Sequence, residues 1–309
     1  MLSYILKRLA HTFFTLTFLA VVTFFLLRLA PGGPFDSEKI WPAEIQANIE
    51  AKYGLNQPLY QQFLTWAKDL SHGDLHESFH YIGTPVNEII RDALPPSLEL
   101  GIIALLISVI LGMFLGVLSA WKRGGLLDFS AMFVAISGIT LPTYLVATLL
   151  VLLFSNYLGW LPPALWEDKK SMILPVITLS LRPLAIIARM TRTTLLEVMH
   201  ADYIRTAYSK GLSDSSVLFK HALKNSVIPV ISLLGPIAAS LITGSYIVET
   251  IFQIPGLGQY FVTSVIDRDY PLVMGMTLTY GIILTFCNLA VDLTYGLIDP
   301  RIRVDGVKE

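Results

Sequence analysis

Apolar residues in this chain fall into long uncharged windows separated by charged segments. The first window lies between Arg8 and Arg28, with His11 its main polar interruption. About 20 mostly apolar residues suffice for a helix to cross a hydrocarbon core, so this window reads as a membrane span. It exceeds the ~7–15-residue core of a signal peptide, and Leu27-Arg28-Leu29-Ala30 lacks a small-x-small cleavage pattern, so an uncleaved first span is expected. A second window runs from Leu100 to Trp121, and a third from Asp128 to about Phe154, before the Asn156/Gly159 and Pro162-Pro163 cluster. The fourth, Met172 to Met190, is the weakest, interrupted by Pro175, Arg182 and Pro183. The fifth runs from about Asn225 to Val248, and the sixth from about Leu272 to Leu297 with Asp292 inside it. Two intervening segments are long enough for structure of their own. Residues 30–96 carry amphipathic stretches at Ala43–Lys52, at Pro58–Leu70 with proline favourable in the first turn, and at Pro85–Ala93. Residues 191–226 predict two helical pieces broken at Gly211, the second with Ser213 as N-cap.

Orientation follows from where Lys and Arg lie. With the N-terminus inside, the inner segments hold thirteen of the 22 basic residues and the longer outer segments seven; Arg28 and Arg182 lie within spans. Both termini are therefore expected on the inner side of the membrane, with an acid-rich outer segment. Composition agrees, since hydrophobic residues make up 54% of the 309 and charged residues 15%, against about 25% in soluble domains. The net charge of −1 excludes a nucleic-acid footprint. A single cysteine, Cys287, excludes a disulfide scaffold and reads as a packed apolar residue.

The chemistry of most enzyme classes is missing. There is no G-x-x-x-x-G-K-[ST] phosphate loop, no H-E-x-x-H pair and no Cys/His metal spacing, so no catalytic residue, cofactor or metal is expected. His72, His76 and His80 would share a face if helical, but Gly73-Asp74 argues for solvated loop histidines. A six-span chain without catalytic groups or repeats reads as a transport subunit. The rival is a stand-alone secondary transporter or channel, which predicts inverted repeats, paired broken helices and midplane charges; Arg182 alone fits.

The most informative stretch is Glu197-Val-Met-His-Ala-Asp202-Tyr203-Ile-Arg-Thr206-Ala207-Tyr-Ser-Lys210-Gly211-Leu212-Ser213, followed by His221-Ala-Leu-Lys-Asn225-Ser-Val-Ile-Pro229. Tyr203, Ala207 and Lys210 stand at i, i+4 and i+7, so a short helix could fit a partner's groove, with Ala207 allowing close approach and Gly211 a positive-φ turn. By spacing alone, an ordinary connecting helix pair with a C-cap glycine is the favoured reading. The stretch resembles the coupling loop of permease subunits of bacterial ABC importers, and more closely their oligopeptide/dipeptide branch, first-subunit type. Arg28-Leu-Ala-Pro-Gly-Gly-Pro34, Tyr53-Gly-Leu-Asn-Gln-Pro58, Gly73-Asp74-Leu75, Glu249-Thr-Ile-Phe-Gln-Ile-Pro255-Gly256-Leu-Gly258-Gln and Asp299-Pro300-Arg301 resemble the same branch in order. Arg205-Thr206-Ala207 replaces the usual Glu-Ala-Ala, Tyr208 stands where Arg is common, and His76 replaces a frequent Gly.

The resemblance implies an all-α polytopic fold with six transmembrane helices, of the type I ABC importer kind. It implies a first part at 1–29, an outer segment at 30–96 and a permease core at 97–309 holding the coupling loop 191–226. The expected partners are a second homologous permease, two cytoplasmic ATPase subunits, a periplasmic or lipid-anchored substrate-binding protein, peptide cargo and membrane lipid. Nickel and glutathione importers share the branch and remain alternatives for cargo. ATPase coupling falls to Asp202, Tyr203, Thr206, Ala207, Lys210, Gly211 and Leu212, with Pro255, Gly256 and Gly258 in the outer loop. For Arg182, three readings stay open: pairing with Asp292, facing the pathway, or another satisfied structural role. Gly112-x-x-x-Gly116 and Ser240-x-x-x-Gly244 are small-residue packing patterns.

Overall fold

The computed structural model describes residues 2–34, 50–51 and 53–298. Most of the amphipathic stretch expected at Ala43–Lys52, and the Asp299-Pro300-Arg301 motif, lie outside these residues. The described chain is helical, with one isolated antiparallel bridge between Glu77 and Pro85. Its helices are α1 (Leu2–Leu29), α2 (Leu59–Ser71), α3 (Val86–Trp121), α4 (Leu126–Thr140), α5 (Thr143–Leu150), α6 (Ile173–Met199), α7 (Asp202–Ser209), α8 (Asp214–Ser226), α9 (Ile228–Ile242), α10 (Tyr246–Phe252), α11 (Leu257–Ile266) and α12 (Tyr270–Ile298). Four of them (α1, α3, α6 and α12) are long and apolar enough to cross a membrane, and counting each of two bent pairs as one span makes six.

Several expected boundaries shift, each for a local reason. The third window is bent by 108° between α4 and its continuation Thr143–Tyr157. Pro142 forces this: the preceding residue is driven out of helical geometry, and Leu141 sits at φ −76, ψ 129. Beyond α5 the chain widens into a π-helix at Val151–Tyr157. The fourth window, weakest in the sequence, is one continuous 27-residue helix that carries Pro183 inside it. The fifth is shorter than read. Helix α9 starts with Pro229 in its first turn, bends by 49° from α8, and ends before Gly244, whose φ is +86. Gly244 therefore lies beyond the helix, and Ser240-x-x-x-Gly244 is not a helix face. Pro85–Ala93 is no separate amphipathic helix, because it runs without a break into α3.

The chain divides into two compact units. One comprises Leu2–Pro95 and Gly256–Ile282. Its core is Ala20, Phe24, Trp66, Met274 and Leu278, packed by Phe63 and Leu70. Asp269 is fully buried and accepts from the Ser78 hydroxyl and from the N–H groups of His80 (3.1 Å) and Leu272 (3.2 Å), tying the 78–81 loop to the start of α12. The predicted loop histidines are not helical. His72 ends α2, His76 has φ +67 and lies 3.1 Å from Asp69, and His80 lies 3.7 Å from Asp267.

The other unit comprises Pro96–Pro255 and the chain from Ile283 onward. Leu100, Leu174, Val248, Phe252 and Ile254 form its largest buried cluster. Helices meet there backbone to backbone. A Cβ on Gly112 would stand 2.8 Å from the Leu184 carbonyl, and one on Gly116 2.6 Å from that of Ala188. The Gly112-x-x-x-Gly116 pattern is thus the contact of α3 with α6. Glu249 is fully buried and accepts from the Ser97 hydroxyl at 3.0 Å.

Candidate functional site

The 202–226 segment is a helical hairpin on the end of α6. Helix α7 is amphipathic over two turns. Ile204 and Ala207, three residues apart, point inward into a cluster with Leu195 of α6 and with Val217, Leu218 and Ala222 of α8. Asp202, Tyr203, Arg205, Thr206, Tyr208 and Lys210 are exposed. This corrects one detail of the spacing argument. Ala207 is 6% exposed and seats the helix against its own chain, whereas Tyr203 is 43% exposed, so the two do not form one outward face. The reason is the hydrophobic partner supplied by α8, which lies too far along the sequence for local periodicity to register.

The hairpin turn is built as expected at Gly211. Its N–H donates to the Tyr208 carbonyl at 2.9 Å and the Leu212 N–H to that of Ala207 at 3.4 Å, the paired bonds of a Schellman motif, with Gly211 at φ +78. Nothing lies within 4 Å of a Cβ placed there, so the backbone conformation alone demands glycine. Ser213 occupies the N-cap position of α8 but makes no side-chain capping bond. The arms are cross-tied by Asn225 Nδ2 donating to the Tyr203 hydroxyl at 2.8 Å. Partial desolvation, then the nearby Asp214 carboxylate, push the Tyr208 phenol above its ordinary pKa. Thr194 Oγ1 of α6 donates to the Ser226 carbonyl at 2.8 Å, fixing the hairpin's far end to the span.

Just before the hairpin, α6 grips the start of α4. Arg192 donates from Nε and Nη2 to the two carboxylate oxygens of Asp128, both at 2.8 Å. Asp128 also accepts from the Ser119 hydroxyl and from the Gly124 N–H at 2.9 Å. One buried carboxylate thus binds α3, the 122–125 turn, α4 and α6, and bidentate geometry makes the hold directional. In the sequence Asp128 marks only a span boundary, and Arg192 is only one of the inner basic residues. The available signal was an acid in the first turn of an apolar helix, behind Gly124-Gly125.

The other expected residues are not gathered here. Arg182 is exposed on α6 and joins no ion pair among the described residues, so the Arg182–Asp292 pair does not form. Asp292 is partly buried on α12. In the loop after α10, Gln253 adopts a left-handed conformation (φ 54) and Ile254 N–H bonds back to the Glu249 carbonyl at 2.8 Å. Pro255 is exposed, whereas Gly256 and Gly258 are buried.

The family model described as binding-protein-dependent transport system inner membrane component matches residues 108–304, and its N-terminal companion matches residues 1–100. The oligopeptide transport system permease protein OppB of Haemophilus influenzae is 44% identical over 305 residues, covering 98% of this chain and all of that protein. The dipeptide transport system permease protein DppB of Bacillus subtilis is 43% identical over 304 residues, covering 98% and 99%. Among solved structures, an inward-facing form of the MetNI methionine ABC transporter aligns with a TM-score of 0.55 at 16% identity, over 68% of this chain and 96% of that one. At that identity the likeness speaks for the fold, a permease of the ABC-importer kind. The two family models and the sequence identity to curated relatives along the chain make it a member of the family of binding-protein-dependent transport system inner membrane components.

Proposed function

We propose that this chain is a permease subunit of an ATP-driven peptide importer. It forms half of a translocation path with a second homologous permease; two ATPase subunits lie below the pair, one of them docking on this chain's hairpin, and a substrate-binding protein delivers cargo on the opposite face. The observation that carries this reading is the unbroken similarity to oligopeptide and dipeptide permeases along the whole length. The basic-residue bias supports an orientation with both termini and the 191–226 segment inside, and 30–96 and the loop at Pro255 outside.

Coupling in this scheme uses the exposed face of α7. Asp202, Tyr203, Thr206 and Lys210 meet the ATPase groove, Gly211 and Leu212 set the angle of the turn, and Ala207 seats the helix from beneath. ATP binding closes the ATPase pair and displaces the hairpin; Ile204 and Ala207 pass the displacement to α8 and α6. The spans then shift between inward-open and outward-open arrangements. ATPases and loaded binding protein must bind these two states unequally for work to be done. The test is uptake of a labelled tripeptide by cells with and without an intact copy of this gene. Loss of uptake, restored by complementation, supports the reading. Undiminished tripeptide uptake with loss of another solute reassigns the cargo.

A further inference from the structure

The unit formed by Leu2–Pro95 and Gly256–Ile282 contains two neighbouring cavities that share Trp66. The first, about 310 Å³, has a mixed polar and apolar wall and lies at the C-terminal end of α1, with Arg28, Tyr53, Gln57, Gln62, Thr65 and Tyr270 among the residues that line it. Among the described residues its lining includes neither Asp nor Glu. Arg28 is partly buried, donates from Nε to Gln62 Oε1 at 2.9 Å, and stacks over the Phe24 ring at 3.5 Å. Among the described residues it meets no carboxylate. Trp66 is 7% exposed, and its indole N–H is buried without an acceptor among the described residues. Within the described residues this leaves a cation without a counter-ion and a buried donor without an acceptor, and both ask for an anionic oxygen.

The second cavity, about 480 Å³, is an apolar groove along α1, α2 and α12, walled by Phe13, Val21, Phe63, Leu70, Leu278 and Ile282. From Phe13 to Val21 it follows eight residues of a helix long and apolar enough to cross a membrane, about 12 Å. Arg28 lies seven residues, about 10 Å, further along α1.

We infer that this unit holds one anionic phospholipid, its phosphate received by Arg28 and Trp66 and an acyl chain lying in the Phe13–Ile282 groove. A hydroxyl-bearing headgroup suits the polar lining of Tyr53, Gln57 and Thr65. An ammonium headgroup is disfavoured, because the described residues of the lining offer no carboxylate to receive it. The inference goes beyond the transport reading and does not rest on it.

The test is native mass spectrometry of the full chain in detergent with graded phosphatidylglycerol or phosphatidylethanolamine. The parent should retain one phosphatidylglycerol in clear preference to phosphatidylethanolamine. Arg28→Gln should lower its retention by roughly tenfold, the scale of a lost hydrogen-bonded charge. Trp66→Phe, which keeps the ring and removes the donor, should lower it less, and Ala67→Trp should block the groove. If Arg28→Gln does not fold, as judged by thermal unfolding, Trp66→Phe and Ala67→Trp decide. Equal retention of the two lipids, or retention unchanged in all folded variants, overturns the inference. So does displacement by water-soluble sn-glycerol 3-phosphate, which would mark an anion site without a chain, or by a tripeptide, which would mark a cargo site.

Discussion

Ala207 and Gly211 stand four residues apart and fail differently when changed. Ala207 is packed under α7 against Leu195 and Val217, so Ala207→Trp overfills a closed site, at a cost of about 1–3 kcal/mol. We predict a hairpin cut faster by trypsin at Arg205 and Lys210 in purified protein, with lower thermal stability. Gly211 has open space around it and needs only its left-handed backbone. Gly211→Val should strain the turn by about 1–2 kcal/mol and leave the spans inserted. Membrane levels are expected to match the parent while uptake falls, and parental uptake would refute a coupling role for this turn. Arg182 poses a different question, being exposed on a spanning helix without an ion-pair partner among the described residues. An arginine facing lipid at that depth is costly, so it should face water or the second permease. Arg182→Leu is therefore expected to alter uptake or recovery of that second subunit; if neither changes, the side chain merely reaches the interface.

At the scale of elements, proline and one ion pair decide most of what the hydrophobic windows leave open. Pro142 turns the third window into two helices, and Pro229 restarts the fifth after a bend. Pro183, in contrast, leaves α6 continuous, because surrounding helices hold that segment: Leu184, Ala185 and Ile187 are all buried. The Asp128–Arg192 pair then binds α4 to α6 beside the hairpin. Removing one partner of such a pair strands a buried charge and costs about 3–5 kcal/mol. Arg192→Gln should consequently lower the midpoint of thermal unfolding and weaken the link between hairpin and span. In a reconstituted importer, ATP hydrolysis should continue while uptake per ATP falls. The reversed pair Asp128→Arg with Arg192→Asp should recover part of the stability. A single variant with parental melting and uptake would show that the pair carries neither load.

At the scale of the whole molecule, the orientation is the first thing to test. Cys287 is buried and contributes little background labelling. Lys68→Cys, placed on α2, should react with an impermeant thiol reagent in cells whose outer membrane is permeabilised, and Lys210→Cys only after the inner membrane is opened. The opposite pattern reverses the topology.

Span number, fold class and the Gly211 turn were legible in the chain because each rests on a local property: the length of an apolar run, the order of motifs, a residue without Cβ. Gly112 and Gly116 announced a helix contact but not its partner, since the partner α6 is some 70 residues away. The inward face of Ala207, the Asp128–Arg192 clamp, the missing Arg182–Asp292 pair and the two cavities around Trp66 depend on side chains distant in sequence meeting in space. Helical periodicity can mark a residue as apolar or charged, but only packing chooses which of its possible neighbours it meets, and so which charge is paired, which donor is left over and which surface remains for a partner.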